Sequence, residues 1–416
     1  MKYDLIVVGG GFSGVSAAVS GAKRGLKTLL IEKNGALGGA ATNCLVVPFM
    51  SYLLKYKRRI IKISDGYFGR ILTLLKEKGG LGKNGHLFNE EILKIILDEE
   101  MEKFGVDVLF HSFVTGVEKD GEKITAVITA GKSGTQKFTA DYFIDCTGDA
   151  DIAYLAGAPV NLGRESDNLC QPMTLCFRLS GVNVKKALKM RPEINALYKK
   201  WQDDGKIKNP RENILVFKNM NKDVLHFNST RIIKKNPVDV KDLSFAEKEA
   251  RKQVLEIYNF LKENFEPFKK SVLLSTASEI GVRESRKIDG EYFLTEKDVL
   301  SLTKFEDRIS ACNYSIDIHN PEGVGTYLHY FGVGEYYTIP YRCLQPKKVE
   351  NLLVAGRCIS TDHTSQASYR IMPVCATLGE AAGTAVAVAK RTDKKVKEID
   401  VKLLQKELID AGAFIG

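Results

Sequence analysis

The sequence predicts an α/β fold in which a parallel sheet with a small antiparallel meander is built from both ends of the chain, around an inserted α+β domain. Three observations carry that expectation. The chain opens with an apolar run, a glycine-rich turn and a small-residue helix that leads into a second apolar run. A further apolar run of the same kind, at 351–355, arrives late and again feeds a helical segment. Between them, from about residue 162, the pattern of strands and helices changes. With 416 residues the chain is too long for one ordinary core. The expected division is 1–160 with 340–416 as one domain and 161–339 as a second domain that caps it.

Residues 3–8 read as a strand, 9–11 as a turn, 13–23 as a helix and 27–31 as a strand, because β-branched runs flank small residues in a βαβ pattern. Residues 44–85 are irregular and basic, with a helix around 68–78. Asn89 is a good N-cap, and Glu90 and Glu91 complement the dipole of the helix it opens. Phe104-Gly105 ends that helix. Runs at 106–111, 114–119, 124–130 and 136–138, separated by turns such as Lys119-Asp120-Gly121-Glu122, read as the meander. An apolar strand at 142–146 then leads into Thr147-Gly148-Asp149-Ala150-Asp151. In the inserted domain, strands are expected near 174–180, 213–218 and 224–231, with a long amphipathic helix over 243–264. The strand at 351–355 and a helix over 373–390 complete the first domain.

Composition narrows the function. The chain is 44% hydrophobic and 27% charged, which places it among globular proteins, and its net charge of +10 favours acidic small molecules. Lys and Arg are spread along the chain without a nucleic-acid motif, so no nucleic-acid partner is expected. Eight scattered cysteines with no C-x-x-C pair predict reduced thiols and a cytoplasmic location. The glycine-rich turn interrupts the first apolar run, so no signal peptide is read there. The longest apolar stretch, 374–389, carries Glu380 and two glycines and reads as a buried helix, so no membrane association is expected. His319 and His329 lie ten apart with no acidic partner at ligand spacing, and no metal site is expected. Neither a Gly-x-Ser-x-Gly elbow nor a Cys/His arrangement points to nucleophilic catalysis.

Gly9-x-Gly11-x-x-Gly14 is informative because it follows a strand, opens a helix and is followed by Glu32 at the end of the next strand. Gly9 permits the tight turn, Gly11 lets the backbone approach a pyrophosphate, and Gly14 lets helix and strand pack closely. The N–H groups of the first helical turn, at Phe12, Ser13 and Gly14, together with the helix dipole, stabilise a diphosphate. Glu32, with Lys33 beside it, is placed to accept hydrogen bonds from ribose hydroxyls and argues against a 2′-phosphate there. Gly80-Leu81-Gly82-Lys83-Asn84-Gly85 fits the same pattern but follows a charged helix, so it reads as a loop. The fingerprint makes the first domain a Rossmann-like dinucleotide-binding domain, open to NAD or FAD. Three further segments favour FAD. Gly38-Gly39-Ala40-Ala41-Thr42 offers bare backbone to a bulky ring and ribityl chain, and Thr147-Gly148-Asp149 and Gly356-Arg357 each follow a strand end.

Together these segments resemble the glutathione-reductase-like FAD superfamily, and within it the bacterial FAD-dependent oxidoreductases. The resemblance covers 3–45, 87–160, 275–300 and 337–390. Its more specific signatures are Asp145-Cys146-Thr147-Gly148-Asp149-Ala150-Asp151, Gly281-Val282-Arg283-Glu284-Ser285-Arg286, and Gly356-Arg357-Cys358-Ile359-Ser360 followed by His363. Arg370-Ile371-Met372-Pro373 and the small residues from Gly379 to Gly383 continue the last of these. Thr364-Ser365 stands where the family carries Glu-Ala, which sets substrate choice apart from the commoner members. The resemblance implies that Gly356-Arg357 lies by the flavin diphosphate and ribityl chain. It also implies that the helix beginning near Pro373 points its N-terminus at the pyrimidine end of the flavin ring. Met372 and Val374 would then donate backbone hydrogen bonds where reduction places negative charge; Pro373, having no N–H, would not. A non-covalent FAD is expected, although His363 and nearby cysteines leave attachment open.

Hydride transfer at flavin N5 needs orientation and a group that moves the accompanying proton. His363, read in the turn between the late strand and helix, is the candidate; the alternative is a histidine that only bonds the loop. Arg370 and Tyr369 are candidates for a substrate carboxylate or carbonyl, with loop clamping the alternative for Arg370. Alternation after the run 272–277 points Arg283 and Arg286 different ways, one into the cleft and one into solvent. His319, His329 and Tyr336-Tyr337 fall in a segment that lines the domain interface, and most read as packing or surface residues.

The expected function is therefore an FAD-dependent oxidoreductase moving a hydride between a small organic substrate, of anionic character given the charge, and flavin N5 at the domain interface. No second fingerprint offers an NAD(P) site, so the electron acceptor is open among oxygen, a quinone, a protein or a second substrate. The alternatives are a flavin monooxygenase or halogenase, marked by stoichiometric oxygenation, and a non-catalytic flavin-binding protein, marked by salt-sensitive RNA binding.

Overall fold

Apolar runs from the two ends of the chain meet in one seven-stranded sheet. The computed structural model describes residues 2–56 and 58–416. In chain order it begins with strand β1 (Lys2–Val8), helix α1 (Phe12–Ala22), β2 (Thr28–Ile31), β3 (Leu53–Tyr56), β4 (Arg59–Lys62), α2 (Tyr67–Glu77) and α3 (Glu90–Phe104). Then come β5 (Asp107–Leu109), β6 (Phe113–Asp120), β7 (Lys123–Gly131), β8 (Gly134–Asp145), α4 (Asp151–Leu155) and β9 (Val160–Leu162). The middle of the chain holds β10 (Phe177–Ser180), α5 (Val184–Lys189), α6 (Arg191–Asp203), β11 (Val216–Lys218), β12 (Leu225–Phe227), α7 (Val240–Asn264) and β13 (Val272–Thr276). The remainder is β14 (Arg286–Ile288), α8 (Glu296–Leu300), β15 (Arg308–Cys312), β16 (Ile316–His319), β17 (Thr326–His329), β18 (Tyr337–Pro340), β19 (Leu352–Val354), α9 (His363–Tyr369), α10 (Met372–Thr392) and α11 (Val401–Asp410).

In the main sheet β1 lies between β2 and β8, all parallel, and β19 joins β8 in parallel on its other side. Two expectations change here. The segment at 106–111 is not a meander strand: β5 pairs in parallel outside β2, reached through the crossover helix α3. A three-residue strand carries no local sign of which way its partner runs. The runs at 136–138 and 142–146 are one strand, β8. Its first half pairs antiparallel with β7 and its second half parallel with β1 and β19. The exposed first half lacks the apolar pattern of the buried second half, which is why the strand reads as two.

Local signals place the helices. Asn89 caps α3 by accepting from Glu91 N (2.9 Å) and Ile92 N (3.3 Å), and Gly105 ends it in the left-handed region at φ +65°. Helix α10 lies backbone-to-backbone on α1: a Cβ at Gly379 would sit 1.9 Å from the Ser13 carbonyl oxygen, and one at Gly383 2.1 Å from that of Ala17. The four-residue spacing puts both glycines on one face. Among the described residues α10 is the one helix long and apolar enough to cross a membrane, and it is buried in this packing. The antiparallel sheet β11-β12-β10-β13 and helices α5, α6 and α7 enclose a second core from Met173 to Ile280. Helices α5 and α6 escape the sequence reading because the segment is densely charged; in α6 only Ile194 and Tyr198 are buried. Leu294, Ile309, Tyr337 and Ile339 pack in the first core with α1 and α10.

Glu380, the charge that interrupts α10, is buried and accepts from Tyr67 N (3.0 Å), capping α2 where Gly66 has no side chain to do so. Burial, opposed by that hydrogen bond, pushes its carboxyl up to about 7. Such a group stabilises the fold below its unfolded value and loses that contribution as pH rises through about 7. Glu380→Gln keeps an acceptor for Tyr67 and removes the ionisation. It should melt with wild type at pH 4.5 and be the more stable protein at pH 8, by up to about 3 kcal/mol. Urea melts at the two pH values check this, and equal stability at pH 8 would show that the carboxylate is not strained by burial.

Candidate functional site

Parallel strands leave a crevice at their carboxyl ends, and here β1, β8 and β19 deliver Gly9–Gly11, Cys146–Asp149 and Ala355–Arg357 to it. Gly9 has φ +99°, and a Cβ there would lie 2.4 Å from the Cys146 carbonyl oxygen; at Gly14 it would lie 1.7 Å from that of Gly9. Both glycines serve the fold. Gly11 differs: its φ is −71°, and the nearest atom to an added Cβ is Gly39 Cα at 4.0 Å. The first rung of α1 runs from Val15 N to the Gly11 carbonyl (2.9 Å), so the N–H groups of Phe12, Ser13 and Gly14 precede the ladder.

The Gly38-Gly39 turn closes over the same place. Gly38 N donates to the Gly10 carbonyl (2.8 Å), and a Cβ on Gly39 would sit 2.9 Å from Gly11 Cα. Ala40 is exposed beside it, while Thr42 is buried and donates to the Leu37 carbonyl (2.7 Å). Gly356, at φ +99°, would bring a Cβ within 2.8 Å of Ser13 Oγ. Open space over Gly11, bare backbone around it and a helix N-terminus aimed into it fit the diphosphate of a dinucleotide.

Glu32 is buried at the end of β2, where Oε2 accepts from Gly10 N (2.6 Å) and Oε1 from Asn34 N (2.8 Å). Each oxygen keeps a lone pair for a hydroxyl donor. Lys33 pairs with Glu279 (2.9 Å). In the acidic motif every carboxylate is engaged. Asp145 accepts from Thr147 N and Oγ1 and from the first-turn amides Ile152 N and Ala153 N of α4, and Thr147 Oγ1 accepts from Asp149 N (3.3 Å). Asp149 pairs with Arg357, whose guanidinium also donates to the carbonyls of Gly148 (2.7 Å) and Val282. Arg357 thus clamps three segments together. Arg286 is not solvated: it pairs with Asp151 and lies 4.3 Å over the Tyr154 ring. Tyr369 donates its hydroxyl to the Arg357 carbonyl (3.0 Å) and so is committed inside the fold.

Helix α10 begins with Met372, Pro373 and Val374, and its first rung is Cys375 N to the Ile371 carbonyl (2.9 Å). The N–H groups of Met372 and Val374 therefore precede the ladder.

His363 is the first residue of the short helix α9 rather than part of a turn. Its Nδ1 lies 2.9 and 2.8 Å from the two carboxylate oxygens of Glu284, which is fully buried and also receives Lys287 Nζ (2.6 Å) and Gln171 N (3.0 Å). Burial alone would raise the Glu284 carboxyl; the His363 hydrogen bond and the Lys287 charge overcome it and hold it at about 2. Arg283 donates to the Pro172 carbonyl, Thr174 Oγ1 and Asn228 Oδ1, and burial with the neighbouring charges of Arg370 and Arg211 lowers it to about 9. Gln366 of α9 ties the two regions by donating to the Arg283 carbonyl (3.1 Å). Arg370 donates through Nη2 to the Asp317 carbonyl (2.9 Å).

The sequence reading missed Glu284, Lys287, Gln171, Arg211, Arg231 and Asp317 as parts of this site. It weighed His319 for metal ligation and as an interface residue, and gave no part to Asp317, whose Oδ1 lies 3.4 Å from His319 Nε2. The signal was available, since residues two apart on β16 share a face.

Residues 4–408 match the family described as FAD dependent oxidoreductase. A digeranylgeranylglycerophospholipid reductase of Methanocaldococcus jannaschii is 30% identical over 133 residues, covering 30% of this chain and 33% of the reductase. A mitochondrial dihydrolipoyl dehydrogenase of Schizosaccharomyces pombe is 48% identical over 52 residues, covering 12% of this chain and 10% of the dehydrogenase. The chain thus spans well under half the length of either relative. Among solved structures, the flavin-dependent brominase Bmp2 superposes with a TM-score of 0.50 at 14% identity, covering 99% of this chain and 83% of the brominase, which is likeness of fold.

Proposed function

Because this chain belongs to the FAD dependent oxidoreductase family, we propose that it moves a hydride between a small organic substrate and FAD where the second core meets the crevice, with His363 handling the accompanying proton. Bound FAD supplies the two-electron chemistry, and the chain supplies binding, orientation and the proton path. The amides of Phe12, Ser13 and Gly14 bind the diphosphate over Gly11, and Glu32 accepts from the ribose hydroxyls. The unladdered amides of Met372 and Val374, at the positive end of a 21-residue helix, stabilise negative charge that grows during the reaction.

The pairing of His363 with Glu284 carries the proposal. A buried carboxylate on Nδ1 keeps the proton of the neutral ring there, leaving Nε2 as an acceptor. Protonation at Nε2 then gives an imidazolium facing an ionised carboxylate, whose ionised form Lys287 and Gln171 N hold in place.

The visible spectrum of purified protein, repeated after acid precipitation, tests the cofactor. Released FAD, identified by mass, is the expected result, with anaerobic bleaching of the bound chromophore by the substrate. Colourless protein that fails to take up added FAD would reject the proposal, and stoichiometric oxygenation of a substrate would replace hydride exchange with oxygenase chemistry.

A further inference from the structure

We infer that the buried arginines around Asp317 form a binding site for a small organic acid, so that the substrate of the reaction proposed above carries a carboxylate. The identification of that acid as substrate rests on the proposed reaction; the site itself rests on charge and unused donors.

Arg211, Arg231, Arg283 and Arg370 each lie close enough to Asp317 for their charges to interact, as do Arg211 with Arg231 and with Arg283, and Arg283 with Arg370; Arg211 and Arg231 are buried, and Arg283 and Arg370 are half-buried. Against these four guanidinium groups stand Asp317 and Glu212; Glu284 and Arg357 also act on Arg370, but each is neutralised by its own partner, Lys287 and Asp149. His319 adds no charge: its Nδ1 accepts from Arg231 Nη2 (3.2 Å) while Nε2 faces Asp317, which requires the neutral ring. The region therefore buries two positive charges more than negative ones. An interior tolerates such an excess when an anion completes it.

The donors divide into used and unused. Arg231 is engaged through Nη1 and Nη2 by the carbonyls of Gly323 and Gly325, by Thr326 and His319, and by its ion pair with Glu212 (3.1 Å). Arg283 is likewise committed to Pro172, Thr174 and Asn228. Arg370 Nη1 and Arg211 Nε are buried and have no partner among the described residues. Two oxygens of one carboxylate are the acceptors such donors lack.

Placement matches the chemistry. Arg370 stands two residues before Met372 at the start of α10, and Gln366 links the Arg283 backbone to the helix that carries His363. A carboxylate held here lies beside the proton-handling pair. Pro210 and Glu212, on either side of Arg211, line a cleft of about 260 Å³ open to solvent.

A site that crowds like charges is strained when empty, whereas a structural ion network is not. Thermal melts of the purified holoprotein with succinate, and with the uncharged analogue succinamide at equal ionic strength, separate the two. Succinate should raise Tm by at least about 2 °C at saturation and succinamide should not. Arg370→Gln should abolish the succinate shift while melting, unliganded, at or above wild type; Arg211→Gln gives the same reading if the first variant does not accumulate. Equal responses to succinate and succinamide, or a variant that melts far below wild type yet keeps the succinate shift, would overturn the inference. Visible absorbance of the same samples reports FAD separately. Protein that answers to succinate without FAD loses the proposed reaction, and FAD-loaded protein indifferent to succinate loses only the acid site.

Discussion

Gly11→Ala should fold as wild type and be purified without its flavin, while Gly14→Ala should fail to accumulate as folded protein. The two glycines stand three residues apart in one motif, yet the space around them is opposite. At Gly14 an added Cβ would lie 1.7 Å from the Gly9 carbonyl oxygen, and Gly9 is itself pinned at φ +99° against Cys146. Nothing flexible is there to yield, so α1 must part from β1, and with it the packing of α10 on α1. At Gly11 the backbone is in a region open to any residue and the methyl meets nothing nearer than 4.0 Å. The substitution therefore leaves the fold alone and fills only the space that the proposed diphosphate site requires. FAD affinity should fall by roughly a hundredfold or more, about 2.7 kcal/mol. The ratio of flavin to protein absorbance, with the Tm of the flavin-free form, measures both claims. Wild-type flavin content in Gly11→Ala would move the diphosphate away from Gly11 and undo the assignment of the crevice.

That contrast marks what was legible in the sequence. Gly9, Gly11, Gly14 and Glu32 sit within one βαβ unit, where local pattern dictates both backbone and site. Asn89, Gly105, Gly379 and Gly383 are readable for the same reason: capping and close helix packing are decided within a turn or two. His363 was readable as a candidate for moving the proton, but the carboxylate that partners it was not. His363 and Glu284 are 79 residues apart, and Glu284 sits in a run of charges that reads as an exposed turn. Its burial depends on Lys287, three residues on, and on Gln171 and His363, brought from two distant segments, and charge alone says nothing of burial until the partners are known. Arg211, Arg231 and Arg370 gather around Asp317 only once the second core is laid against α9. Strand β8 was misread for a related cause, since its two halves answer to different neighbours.

His363→Asn should retain FAD and stability while slowing anaerobic flavin reduction by the substrate about 10²–10⁴-fold, the range for loss of a general acid or base. Asparagine can still donate to Glu284 but cannot take a proton, so the variant separates chemistry from architecture. Glu284→Gln tests the other half of the pair and should act on stability as well. It leaves the Lys287 ammonium buried without its carboxylate, a loss of about 3–5 kcal/mol. The pH dependence distinguishes this from a packing defect. Glu284 is held at about 2, below its ordinary 4.5, so its contribution is present above pH 4.5 and lost as pH falls through 2. That depression corresponds to on the order of 3 kcal/mol. Wild type should therefore weaken steeply between pH 4.5 and 2, and Glu284→Gln, already without the term, should show a flatter acid limb. Should His363→Asn reduce its flavin within threefold of the wild-type rate, the histidine only fastens α9 to Glu284, and the proton must travel by another group at the crevice.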